Sequence, residues 1–129
     1  MLFKSLAILS SAATATWGPP HAEGRVWINY QDKTFRDAQS RHLTMHGVNV
    51  VYKIAPYIPE EDKFDGQNSL TDADIANLAK WGFNMVRLGV MWEAVEKAPG
   101  VYDDKYLNEI DQLITKLGKA GIYTLVDAH

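Results

Sequence analysis

The sequence predicts an α/β fold in which parallel strands are covered by helices. Three observations lead there. Short apolar runs alternate with amphipathic segments in the order strand, loop, helix, strand, helix, strand, the pattern of parallel strands with helices outside. Each helix ends just before a glycine, Gly82 or Gly121, that stands a few residues ahead of the next strand. At 129 residues, 47% hydrophobic and 22% charged, the composition is that of a folded domain and excludes disorder and collagen-like repeats.

The chain opens with Met1-Leu2-Phe3-Lys4, a short basic start, followed by an apolar or small stretch from Leu6 to Ala15. Ala13-Thr14-Ala15 has the small-x-small form of a cleavage site, so residues 1–15 read as a signal peptide and the protein as secreted, hence extracellular. The competing reading is a frayed N-terminal helix on a cytosolic protein. The apolar stretch is too short to be a transmembrane segment, which needs about twenty residues. Residues 16–25 hold Gly18, Pro19 and Pro20 and read as a linker.

Val26-Trp27-Ile28 and Leu43 to Val51 are strand-like, and Phe35 to His42 between them reads as the turn of a short β-hairpin. Pro56, Pro59 and Glu60-Glu61-Asp62-Lys63 mark a solvated loop reaching about Ser69. Thr71 with Asp74 has the capping-box form, and Ile75, Leu78 and Ala79 give the following helix its apolar stripe. Phe83 to Val90 is a strand. Trp92 to Tyr102, with Pro99-Gly100, reads as a loop. The second helix, Asp103 to Ala120, carries Tyr106, Leu107, Ile110, Leu113, Ile114 and Leu117 at helical spacing. Asp103 and Asp104 stand at its positive end, and Lys116 and Lys119 at its negative end. Ile122 to His129 is the last strand.

Composition narrows the function. Thirteen Lys+Arg against 16 Asp+Glu give a net charge of −3, with no basic surface for nucleic acid. The absence of cysteine excludes disulfide scaffolds, thiolate zinc sites and cysteine nucleophiles. No cofactor and no metal is expected.

Strand alternation sorts the polar residues by face. Met85, Arg87 and Gly89 share one side of their strand, and Val86, Leu88 and Val90 the other. Leu125, Asp127 and His129 share a side of the last strand, and Gly47 and Asn49 share one in the first. Gly89 is expected to leave room near its strand end. If the sheet curls, Asn49, Arg87, Asp127 and His129 all point inward at the C-terminal ends of parallel strands, where α/β folds place their ligands. The rival reading is a buried polar network that only fixes register. Lys53 can reach the same mouth, although a loop lysine is usually just solvated. Trp92 and Glu93 end the second strand in the same way; Trp92 suits a sugar platform or a core cover equally. Asp127 and His129 at i, i+2 are too few ligands to define a metal site. His21, His42 and His46 share no spacing and take no role.

These residues resemble a known family. Leu43-Thr44-Met45-His46-Gly47-Val48-Asn49-Val50 and Gly82-Phe83-Asn84-Met85-Val86-Arg87-Leu88 resemble the opening of glycoside hydrolase family 5. Tyr123 to His129 is similar to its third strand. Trp92-Glu93-Ala94-Val95-Glu96, Pro99-Gly100-Val101-Tyr102-Asp103 and Tyr106-Leu107 resemble the endoglycoceramidase branch. The resemblance runs from about Val26 to His129. It implies that residues 26–129 are the N-terminal part of a (β/α)8 TIM barrel, about three strands and two helices preceded by the short β-hairpin. Such a barrel normally needs roughly 250 residues, so a fragment is expected.

The activity implied is retaining hydrolysis of an O-glycosidic bond by two glutamates about 5–5.5 Å apart. In the family both lie on later strands, so no catalytic residue is expected in this chain, and the chain alone is expected to be inactive. Glu93 and Glu96 do not match them. Arg87 matches an arginine that supports the nucleophile, His129 a histidine that binds sugar hydroxyls, and Lys53 a lysine that contacts the glycan in the glycolipid-cleaving branch. Asn49 and Asp127 complete the expected substrate-binding set. Ser40 stands where a glycine is common, and Lys97 where a proline is. The expected substrate is a glycan or glycolipid cut at the sugar–ceramide linkage, and the full-length protein is expected to be a monomer. The alternatives are a β-glucan or mannan substrate, a non-catalytic secreted glycan-binding protein, and a metal-dependent barrel hydrolase using Asp127 and His129.

Overall fold

The computed structural model describes residues 26–129, so the expected signal peptide and linker lie outside the described residues. The first unit is a three-stranded antiparallel meander of β1 (Trp27–Asn29), β2 (Thr34–Arg36) and β3 (His42–Leu43). This corrects the expected hairpin. Phe35 and Arg36 are strand residues, paired with Ile28 and Trp27 on one side and with Leu43 and His42 on the other. Two tight turns replace one broad one, with Lys33 and Ser40 at φ of 60° and 61°. Such left-handed positions favour glycine, which accounts for the glycine common at Ser40 in the resembling family.

Asp37 holds the second turn together. It is only 2% exposed. Its carboxylate accepts the backbone N–H groups of Gln39 and Arg41 at 2.9 and 2.8 Å, and the Arg41 Nε–H at 2.6 Å. Its carbonyl accepts the Trp27 indole N–H at 3.0 Å. Burial pushes the Asp37 carboxyl up, but the Arg41 backbone N–H and guanidinium outweigh it and hold the group below the ordinary value.

The main sheet is parallel, in the order β4 (Gly47–Val50), β5 (Met85–Val90) and β8 (Tyr123–Ala128). The expected single run from Leu43 to Val51 is split, because residues 44–46 leave the meander before β4 begins. Asn84 braces the base of this sheet. Its side chain accepts the His46 N–H at 2.8 Å and donates to the Thr44 carbonyl at 2.9 Å, while its carbonyl accepts the Tyr123 N–H at 2.8 Å. The His46 ring stacks on Phe83 with centroids 4.5 Å apart. Gly47 is required beside them, since a Cβ there would lie 2.2 Å from the Met85 carbonyl oxygen.

Helix α1 (Asp72–Lys80) starts with the predicted capping box. Thr71 Oγ1 accepts the Asp74 N–H, and Asp74 accepts the Thr71 N–H at 2.8 Å, which holds the Asp74 carboxyl low. Gly82, at φ 84°, follows the helix as expected. The expected loop from Trp92 to Tyr102 is instead a short helix α2 (Trp92–Val95) and a hairpin of β6 (Glu96–Ala98) and β7 (Val101–Tyr102), turning at Pro99-Gly100. Helix α3 (Asp104–Lys119) is capped by Asp103 and followed by Gly121 at φ 80°. It buries Tyr106, Ile110, Leu113 and Leu117 against Val86 and Leu88 of β5 and Ile75 of α1, whereas Leu107 is exposed. Lys116 reaches from α3 to Glu61 at 2.5 Å and to Asp72 at 3.0 Å, and the Glu61 carboxylate raises its pKa. The apolar core therefore lies on one face of the sheet and leaves the polar face free.

Candidate functional site

Register places the odd-numbered residues of all three strands on that free face. Asn49 pairs with Arg87, Arg87 with Leu125, and Gly89 with Asp127. Arg87 is therefore one strand step below Asp127 and on the neighbouring strand, within reach of a long side chain. Its Nη2 lies 2.5 Å from Asp127 Oδ2. His129 Nε2 meets the same oxygen at 2.8 Å. One carboxylate oxygen thus joins the two cation-capable groups at the C-terminal end of the sheet. The three side chains are 30–36% exposed, so they are neither sealed nor free.

The backbone around His129 is fixed as well. Its N–H donates to the Val90 carbonyl at 3.0 Å, and its carbonyl accepts the Trp92 N–H at 2.8 Å. The strand end and the first residue of α2 are stitched together directly behind the polar cluster.

Of the five sequence-predicted site residues, the structure brings Arg87, Asp127 and His129 into contact. Asn49 shares their face but is exposed, and Lys53 is exposed just beyond β4. Among the described residues neither side chain makes a hydrogen bond or ion pair. The room expected beside Gly89 is filled. A Cβ there would lie 2.8 Å from Val51 Cγ1 and 3.2 Å from Met91 Cε, so the missing side chain accommodates Val51 rather than a ligand. Val51 was legible from alternation, since it continues the Gly47, Asn49 parity. Trp92 is 57% exposed and Glu93 is also exposed, so Trp92 does not cover the core. Among the described residues no three His, Cys, Asp or Glu side chains gather as a metal site, and no helix is long and apolar enough to cross a membrane.

Comparison with known proteins decides the family. Residues 36–129 match Cellulase (glycosyl hydrolase family 5). The chain belongs to glycosyl hydrolase family 5. Among family relatives, it is 34% identical over 125 residues to an endoglycoceramidase of Cyanea nozakii. That match covers 95% of this chain but 25% of the relative, so the chain spans about a quarter of that protein's length. The solved structure of endo-glycoceramidase II from Rhodococcus sp. superposes with a TM-score of 0.55 at 31% identity, covering 71% of this chain and 20% of that one. The exo-beta-1,4-mannosidase Op5Man5 from Opitutaceae bacterium strain TAV5 superposes with a TM-score of 0.60 at 25% identity, covering 79% and 17%. The mixed α/β architecture is accordingly shared with glycosidases of more than one specificity.

Proposed function

We propose that this chain is the N-terminal, substrate-facing portion of a secreted retaining glycosidase that cleaves the sugar–ceramide bond of glycosphingolipids. In this reading residues 1–15 are the signal peptide, 16–25 a linker, and β4, β5 and β8 the first three strands of a (β/α)8 barrel. One observation carries it: in a chain of this family, Arg87, Asp127 and His129 converge through one carboxylate oxygen at the C-terminal ends of parallel strands. That is where barrels assemble their active sites. The endoglycoceramidase relatives support the glycolipid substrate.

The chemistry divides between this chain and later strands. Retention needs a glutamate that attacks the anomeric carbon and another that protonates the departing ceramide oxygen; water then releases the sugar from the glycosyl-enzyme. Both glutamates belong beyond His129. Arg87 supplies positive charge beside the nucleophile, which keeps that carboxylate ionised for attack and stabilises it again as the leaving group when water releases the sugar. His129, Asn49 and Asp127 meet sugar hydroxyls, and Lys53 meets the outer glycan from the rim.

The test uses the full-length protein on a ganglioside. Release of the intact oligosaccharide together with ceramide supports the reading. Cleavage of β-mannan with no release from the ganglioside overturns it in favour of a mannoside-directed enzyme, the reading that the mannosidase superposition favours. Glycan binding with no turnover of either substrate overturns the catalytic part.

A further inference from the structure

The loop between β4 and α1 leaves the sheet at the same end as the polar cluster, since β4 and β5 are parallel and in register there. Its tip, residues 53–55, is exposed, with Ile54 at 70%. Two side chains of α3 reach the loop from beneath. The Tyr106 hydroxyl donates to the Tyr57 carbonyl at 3.1 Å. Lys116 takes the far end through Glu61 and the start of α1 through Asp72. The Tyr57 N–H closes a turn on the Ile54 carbonyl at 2.8 Å, so the tyrosine anchor lies one turn from the tip. We propose that Tyr106 is a positioning residue for the extended part of the substrate: its hydroxyl pins the β4–α1 loop at Tyr57 and so holds residues 53–55 at the mouth of the sheet.

Three observations fit this role. Tyr57 stands at φ 64°, a left-handed position that a residue with a side chain keeps only where its surroundings hold it there. The hydrogen bond to its carbonyl and the packing of Tyr57 and Ile58 on the core supply that hold. Tyr106 itself is 5% exposed within the apolar cluster. A phenylalanine ring would fill the same space, so the hydroxyl serves its partner rather than the packing, and a buried hydroxyl needs one. The third observation joins the loop to the rest of the mouth. Burial pushes the Tyr106 pKa up, and the Met91 backbone N–H beside the hydroxyl opposes it. Met91 links β5 to α2, and the next residue, Trp92, donates its N–H to the His129 carbonyl. One side chain of α3 thus stands under both the exposed loop and the strand ends that carry the cluster.

The substrate rests on the glycosidase reading, but the anchor does not, and the experiment separates them. Amide hydrogen exchange and steady-state kinetics are measured on the full-length protein and on Tyr106→Phe, which removes one oxygen and keeps the ring. In the wild type the Tyr57 and Glu60 amides, both hydrogen-bonded within the loop, are expected to exchange slowly. A wild-type loop that exchanges like an unfolded peptide overturns the anchor without any variant, so misfolding of Tyr106→Phe cannot shelter it. Tyr106→Phe is expected to speed exchange across residues 52–60 about 3- to 10-fold while the buried turns of α3 stay protected. Unchanged exchange in that loop overturns the anchor. On a ganglioside, Tyr106→Phe is expected to raise KM about 3- to 10-fold with kcat held within about twofold. On an aryl lactoside, which carries neither an extended glycan nor a lipid, neither constant should move. Equal losses on the two substrates, a fall in kcat alone, or an unchanged KM on the ganglioside overturn the positioning role. If the wild type hydrolyses neither substrate, the glycosidase reading falls, and the exchange result still upholds or overturns the anchor by itself.

Discussion

The strands β5 and β8 read alike in sequence and differ in the structure. Leu88 and Val126 are register partners on the same face of the sheet, yet Leu88 is 1% exposed and Val126 is 52% exposed. The central strand has β4 on one side and β8 on the other, with α1 and α3 beneath it. The edge strand is sheltered only where α3 reaches it. An apolar run specifies that a strand seeks burial; its neighbours decide how much it obtains. The polar faces of the same two strands show the converse, since Arg87 and Asp127 meet across the boundary despite that difference in cover.

The contrast is broken most strongly at Leu88. Leu88→Ala opens a cavity in the sealed core and is expected to cost about 2–5 kcal/mol in urea denaturation. Val126→Ala in the same 129-residue chain is expected to cost less than about 1 kcal/mol, because half of that side chain already meets water. Repeating Val126→Ala in the full-length protein sharpens the barrel proposal. There the cost should rise towards that of a buried valine, and an unchanged small cost argues against closure over β8.

The other flank of the central strand is tested at Gly47. Gly47→Ala forces a Cβ against the Met85 carbonyl and is expected to cost about 1–3 kcal/mol as β4 and β5 are pushed apart. The base of the edge strand is tested with acid. Asp37 lies near enough to Tyr123 to raise the pKa of its hydroxyl, after the larger effect of burial. The Asp37 carboxyl is depressed in the folded state, so its contribution is fully present above the ordinary value of 3.8 and is lost as the pH falls through the lowered value. Thermal melts from about pH 5 to about pH 2 should therefore fall, with a shallower slope in Asp37→Asn. The smallest effect is expected at Ser40. Ser40→Gly relieves the left-handed turn and should stabilise the meander by about 0.5–1 kcal/mol, read as a raised melting temperature.

Long elements were legible and, apart from β1 with its Trp27-Ile28 pair, the shortest ones were not. The periodicity of α3, the capping box of α1 and the continuous runs of β5 and β8 each extend over enough residues for a repeat to show. By contrast β2, β6 and β7 contain three, three and two residues. A period of two has no room to declare itself there, and Thr34-Phe35-Arg36 is stabilised by partners on both sides rather than by its own composition. The site was legible as far as alternation carries it. Parity put Asn49, Arg87, Asp127 and His129 on one face, but which of them touch depends on register between strands. Register is set by Asn84 and Gly47 at the base, far from the cluster in sequence. Gly89 was misread for a related reason: the absence of a side chain says that something comes close, and the something was Val51. Asp37 looked like a turn residue and is one, but its burial depends on Trp27 and Arg41 folding over it.

The stitch between His129 and Trp92 gives the molecule a built-in optical reporter. The indole of Trp92 stands in solvent, while its backbone N–H is tied to the carbonyl of the histidine at the polar cluster. Any ligand that draws His129 towards itself pulls on the first turn of α2 and so changes the surroundings of that indole. The emission of Trp92, one of four tryptophans in the chain, is therefore expected to respond to occupancy of the cluster whether or not a bond is cleaved, read as the part of the ligand-induced change that is lost in Trp92→Phe.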